Sequence, residues 1–204
     1  RDAYKAITAF TGKSQETIEN EVEGLIAVGL TQTEAFRAVW NTSPLRTDKP
    51  LVAVDLEVAS PMIKGRVDTG PYSNIIEVGW VKRWPDGKIE EGSYLCGIPE
   101  DFAAVEGTGA EHIHNISPEM VAGLPTFVRD EEKLVKLRDV LTGSVMVAHS
   151  ARYETSQFKH NLPGFASMLD RGIVEVLDTQ QVTRLFVPTT EANSNNHLVE
   201  AMGG

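Results

Sequence analysis

Cysteine is nearly absent: Cys96 is the only one in 204 residues. That excludes an intramolecular disulfide and any cysteine-based zinc site, and it is compatible with a reducing, intracellular compartment. No apolar run is long enough to span a membrane and no stretch has the signal-peptide pattern, so no membrane partner is expected. Basic residues are also scarce, with 19 Lys and Arg against 29 Asp and Glu and a formal net charge of −10. Phosphate affinity comes mainly from Lys and Arg contacts, so a broad basic nucleic-acid surface is excluded. A narrow site in which metal ions meet the phosphate is not. What remains, 41% hydrophobic and 24% charged residues, is ordinary for a globular protein, and the length suits one domain with a small appendage.

The organising stretch is Leu51-Val52-Ala53-Val54-Asp55-Leu56-Glu57. Its short run of small and β-branched residues after Lys49-Pro50 predicts a buried strand. Residues two apart in a strand share a face, so Asp55 and Glu57 project together while Leu56 points into the core. Two adjacent carboxylates repel unless a cation lies between them, and hard divalent cations choose carboxylate oxygen. The alternative is a surface strand with two solvated acids, against which the apolar run leading into the pair argues.

Residues 1–48 read as a separate helical appendage of unknown role, and 49–204 as one domain. In the first, Ser14-Gln15-Glu16-Thr17 opens a helix striped by Val22, Leu25, Ile26 and Leu30, and Thr31 with Glu34 forms a capping box for a second, Gln32 to Trp40. The pair is a helical hairpin more readily than a DNA-reading helix-turn-helix, since the segment is not basic. After the acid strand come a loop from Ser60 to Ser73, a strand over 74–83, a turn at Pro85-Asp86-Gly87 and a returning strand from Lys88 to Ile98. His112 and His114 sit in an extended segment, where metal ligation and ordinary loop chemistry both remain open. Ser117-Pro118 starts a short helix and a longer one is expected from Thr126 to Leu141. The strand Val145 to His149, a helix start carrying Glu154, the strand Ile173 to Leu177 and a helix to Phe186 follow; His197 to Met202 begins another helix. Alternating strands and helices in this half imply parallel crossovers, so the fold class is α/β, a mixed sheet of about five strands flanked by helices.

Five of these pieces occur in one order: Val54-Asp55-Leu56-Glu57, Ile75-Ile76-Glu77-Val78-Gly79, His114-Asn115-Ile116-Ser117, Val147 through Glu154, and Leu177-Asp178-Thr179. Together they resemble the DEDD superfamily of 3′→5′ exonucleases, most nearly its DEDDh, DnaQ-like group, which includes the proofreading subunit of bacterial replicative polymerase, ribonuclease T and oligoribonuclease. The resemblance covers residues 51 to about 204. It implies a ribonuclease H-like fold and a two-metal mechanism with two Mg²⁺ or Mn²⁺ ions. Asp55, Glu57 and Glu154 would be the catalytic residues and metal ligands. Glu154 stands where the family usually has Asp, so its ligation would be direct or through water, and a helix-start Glu favoured by the dipole is the alternative. Leu56, Val58, His114 and Tyr153 would contact substrate, with Tyr153 a stacking platform; structural roles for His114 and Tyr153 stay open. Asp178 is expected to cap a helix. The implied partner is the 3′ end of single-stranded DNA or RNA, with a replication or repair protein as a further candidate.

The sequence departs from that family at its third motif, a His followed five positions later by Asp. His197 has Met202 at that distance, so it is not that motif. The expectation is a chain cut before its last motif and inactive or crippled by itself. The rivals are a non-catalytic binding or scaffold module and an RNA-directed enzyme of the oligoribonuclease kind.

Overall fold

The computed structural model describes residues 2–43, 48–59, 62–63, 66–67, 74–98 and 111–186. His197 and Met202, and most of the loops expected at 60–73 and 99–110, lie outside them.

The acid-bearing stretch is strand β1 (Leu51–Ala59). Its apolar residues Val52, Val54, Leu56 and Val58 are buried on one face, while Ala53 and Asp55 are exposed on the other. A two-stranded ribbon, β2 (Met62–Ile63) and β3 (Arg66–Val67), lies in the stretch expected as loop. Strand β4 (Asn74–Arg83) pairs antiparallel with β1, and β5 (Ile89–Leu95) pairs antiparallel with β4. The turn between them works as its residues require. Gly87 takes φ +89°, and Asp86 Oδ1 accepts the Lys88 N–H at 2.9 Å.

Beyond the meander come two one-turn helices, α4 (Glu111–His114) and α5 (Pro118–Val121). The segment around His112 and His114 is therefore partly helical rather than extended. The helix expected over 126–141 is split into a 3₁₀ turn, Phe127–Arg129, and α6 (Glu131–Leu141), because the Asp130 side chain accepts the Lys133 N–H at 3.2 Å and restarts the helix there. Strand β6 (Val145–Ala148), α7 (Arg152–Asn161), α8 (Phe165–Asp170), β7 (Glu175–Asp178) and α9 (Thr179–Phe186) complete the described chain. The five-stranded sheet has the order β5-β4-β1-β6-β7, with β1, β6 and β7 parallel. The fold is the mixed α/β sheet that the sequence predicts.

Most of the core lies under one face of this sheet. There β1 packs with Val78 and Trp80 against Leu134, Leu137 and Leu141 of α6, Phe158 of α7 and Phe165 of α8. A register shift at Glu57/Val58 places Glu57 opposite Glu77 but Val58 opposite Ile75. The extra residue, Ile76, is a bulge. It lets Ile75 and Ile76 both bury fully, in separate clusters.

At the N-terminus, α2 (Gln15–Ala27) and α3 (Gln32–Thr42) form the expected hairpin with its Thr31–Glu34 capping box. A further helix that the sequence pattern does not announce, α1 (Asp2–Thr11), precedes them. It packs Ala9 against Val145 and Leu177 on the opposite sheet face and stacks Phe10 on Trp40 at 3.9 Å. The hairpin is thereby tied to the sheet. Among the described residues no helix is long and apolar enough to cross a membrane.

Candidate active site

The carboxyl ends of the parallel strands β1, β6 and β7 all point the same way, and crevices at such ends are where open α/β sheets bind ligands. Asp55 and Glu57 lie toward that end of β1. Glu77 enters it from the start of β4, directly across from Glu57. Asp178 closes β7, and Glu154 sits in the first turn of α7, which follows β6.

Glu154 is buried, 5% exposed, and its Oε2 has no hydrogen-bond partner. Burial pushes its carboxyl up to about 7; Asp55 and Asp178 push the same way, against a hydrogen bond from its own backbone N–H. The Glu57 carboxyl is also raised, first by burial and then by Asp55 and Glu77. Tyr153 is partly buried against the core, and its phenol is held far above its ordinary value by burial and by the charges of Glu154 and Glu57. Electrostatic coupling thus links Asp55 to both Glu57 and Glu154, and Tyr153 to Glu154 and Glu57.

The turn that delivers Glu154 is held from the neighbouring strand. Ser150 takes φ +64°, a conformation uncommon for a side-chain-bearing residue, and its N–H donates to Asp178 Oδ1 at 3.1 Å. The same oxygen accepts the Gln180 N–H at 2.9 Å at the start of α9. Asp178 therefore acts as a structural tie. Beside it, Thr179 Oγ1 donates to Ala148 O at 3.3 Å and lies 3.2 Å from His149 Nδ1.

The remaining sequence-derived candidates are placed differently. Leu56 and Val58 are buried in the main core cluster. His114 turns back on its own loop, with Nδ1 accepting the Ile116 N–H at 3.0 Å. A groove of about 590 Å³ runs over the open face of the sheet past Asp55, Gly79, Glu91 and Ser93. Gly79 leaves it open, since a Cβ there would meet nothing within 4 Å. The groove reaches the acid cluster only at Asp55.

The donor set is hard carboxylate oxygen, which suits Mg²⁺ or Mn²⁺, and a buried carboxyl oxygen without a partner is what a cation or proton would satisfy. Yet among the described residues no three His, Cys, Asp or Glu side chains converge as a ready-made ion site. The two observations are compatible. Coulombic coupling reaches well beyond ligand-bond length, so the acids are neighbours without forming a closed coordination shell. In donor type alone, the carboxylates of Asp55, Glu57 and Glu154 are what a hard divalent ion prefers. Sequence reasoning missed Glu77, although the alternation of β4 placed it on the acid face, and the Asp178 tie, which depends on tertiary hydrogen bonds.

No protein-family model and no curated protein matches the sequence. Solved structures do. A moderately thermophilic exonuclease I from Methylocaldum szegediense is 16% identical with a TM-score of 0.53, over 67% of this chain and 29% of that one. A product-bound exonuclease I is 12% identical with a TM-score of 0.57, over 76% of this chain and 39% of that one. An exonuclease X in complex with 5′-overhanging duplex DNA is 22% identical with a TM-score of 0.43, over 74% of this chain and 72% of that one. The chain thus spans well under half the length of the exonuclease I proteins that it matches, and it shares their fold.

Proposed function

We propose that the chain is the nuclease domain of a 3′→5′ exonuclease that releases nucleoside monophosphates from single-stranded DNA or RNA ends, of the DEDDh, DnaQ-like kind. The observation that carries this reading is the buried, unpartnered Glu154 Oε2 beside Asp55. The fold shared with exonuclease I supports it.

Asp55, Glu57 and Glu154 would hold two divalent ions, Mg²⁺ or Mn²⁺, which when bound supply activation of water and neutralisation of the leaving oxygen. Glu154 accepts charge where burial has excluded water. Tyr153 offers an aromatic ring beside the acids for stacking of the terminal base, the sequence-tolerant way to bind single strands. The groove over Gly79 gives the strand a route to Asp55.

The test is hydrolysis of 3′-labelled single-stranded DNA and RNA with Mn²⁺ or with EDTA, for this chain, for the full-length parent protein and for the parent with Asp55→Ala. Mononucleotide release by the parent that needs both Mn²⁺ and Asp55, with little or none from this chain by itself, is the expected result. Release that survives Asp55→Ala would refute the site. The open arrangement of the acids favours a second reading, a binding module of this fold without catalysis; its signature is Mn²⁺-dependent oligonucleotide binding with no cleavage.

A further inference from the structure

The lining of the groove past Asp55 decides which part of a nucleic-acid strand it can take. The antiparallel register sets Ala53, Val81 and Glu91 in one row across β1, β4 and β5, and Asp55, Gly79 and Ser93 in the next. Cross-strand neighbours share a face, and all of these except Gly79 are exposed. Ala53, Gly79 and Val81 make the floor low and apolar. Among the described residues the charged groups in the lining are Asp55 and Glu91, and no Lys, Arg or His joins them.

A phosphate laid along this floor would meet two carboxylates and no cation. The backbone of a bound strand therefore turns outward, and the neutral bases turn in. Glu91 makes no ion pair among the described residues. It sits two strands and one row from Asp55, roughly 12 Å at ordinary sheet spacings. That is too far for the phosphate at Asp55 and suits a base upstream of it. A carboxylate only accepts hydrogen bonds. Cytosine, adenine and guanine each offer an exocyclic amino group, whereas thymine and uracil present carbonyl oxygens there, which a carboxylate repels. Ser93 can donate or accept, so it serves any base.

We propose that the strand lies with its bases against this open sheet face and that Glu91 accepts from the amino group of one of them. Cytosine, adenine or guanine is then favoured over uracil or thymine at that position. The inference rests on the nuclease reading above and names a specificity-determining residue within it.

The test is an anisotropy titration of 5′-fluorescein-labelled oligodeoxycytidine and oligodeoxyuridine of equal length. Both carry 3′-terminal phosphorothioates that resist hydrolysis, and each is titrated in Ca²⁺ with this chain and with the full-length parent protein. The two bases differ at the edge that Glu91 reads, an amino group against a carbonyl. The cytidine strand should bind about fivefold more tightly, less than a bidentate base contact gives. Glu91→Gln, which both donates and accepts, should bring the ratio close to one by tightening the uridine strand. Gly79→Leu, which fills the groove, should erase the preference as well. Equal binding of the two strands by wild type, or a preference that survives Gly79→Leu, overturns the inference. So does Glu91→Gln tightening both strands alike with the ratio unchanged, because Glu91 would then face phosphate. These three results leave the nuclease reading standing. No binding of either strand by chain or parent overturns both.

Discussion

The sharpest prediction concerns the cost of Glu154 to the metal-free fold. Its carboxyl has a folded value of about 7 against an ordinary 4.5, so the folded state holds this proton more tightly than the unfolded state. Stability follows the difference in bound protons, unfolded minus folded, which is negative between these two values. Stability contributed by this group is therefore highest below pH 4.5 and falls as pH rises through 7. Each pH unit between the two values costs about 1.4 kcal/mol, so the loss across that window is about 3 kcal/mol. The group is 5% exposed, so solvent screening takes little from that figure. Glu57 is raised as well and slopes the same way, so the wild-type curve alone does not isolate Glu154.

Glu154→Gln does, because it keeps the shape and removes the charge. In EDTA, urea unfolding from pH 5 to pH 8 should show wild type losing about 3 kcal/mol more than the variant. At pH 8 the variant should be the more stable, by roughly 6–12 °C in melting temperature for a chain of this length. Mn²⁺ should then reverse the order, stabilising wild type at pH 8 and leaving the variant nearly unchanged. Parallel pH curves for the two proteins would refute the argument, since they would mean that Glu154 is solvated or already paired.

Other consequences are more local. Asp55→Ala should abolish calorimetric Mn²⁺ binding while leaving the melting curve intact, and an unchanged titration would remove Asp55 from the site. Gly79→Leu, at a position with open space and no positive φ, should fold normally but block the groove, raising KM for oligonucleotides rather than lowering Mn²⁺ affinity; unchanged KM would mean that the strand does not pass there. Gly97→Ala should cost about 3 kcal/mol or more in chemical denaturation, because its Cβ would lie 2.0 Å from the Leu124 carbonyl oxygen. Lys82→Met should cost about 1–3 kcal/mol, since the buried ammonium donates to Val140 O at 2.8 Å and closes the last turn of α6.

The sequence made the sheet legible because alternation and turn chemistry are local. The acid strand, the Pro85-Asp86-Gly87 turn and the Thr31–Glu34 box all follow from a few neighbouring residues. Helix α1 was not legible, since its apolar face makes sense only against Val145, Leu177 and Trp40, which are distant in sequence. The break at Asp130 was hidden because the apolar spacing of Phe127, Leu134 and Leu137 continues across it, and only a side-chain cap interrupts the helix. For the site, Asp55 and Glu57 could be paired by strand period alone. That Glu154 comes near Asp55 depends on the β1–β6 crossover and on the Ser150–Asp178 bond, neither of which is a pattern in the sequence.

The kind of group left unpartnered, more than the number, argues for where function resides. In the body of the fold Lys82 is answered by Val140 O, Asn74 by Gly97 O at 3.0 Å and Ser144 by Leu141 O at 2.6 Å, while the atoms left without a partner there are the neutral Thr8 Oγ1, Ser43 Oγ, Trp84 Nε1 and Tyr94 Oη. At the carboxyl ends of β1, β6 and β7 the same chain tolerates a like-charge pair across strands, a left-handed serine and a buried carboxyl oxygen with nothing to accept from. Glu154 Oε2 is the one carboxylate oxygen among the buried side-chain atoms left unpartnered in the described residues. A helix-start glutamate retained for its dipole would gain up to about 1 kcal/mol when exposed and about 2 kcal/mol at most when partly buried, whereas burial here costs about 3 kcal/mol above pH 7. The dipole alone therefore does not offset the burial. A cation held by Glu154, Asp55 and Glu57, as the proposed function requires, would offset that cost directly, because it would remove the repulsion and fill the vacant acceptor in one step.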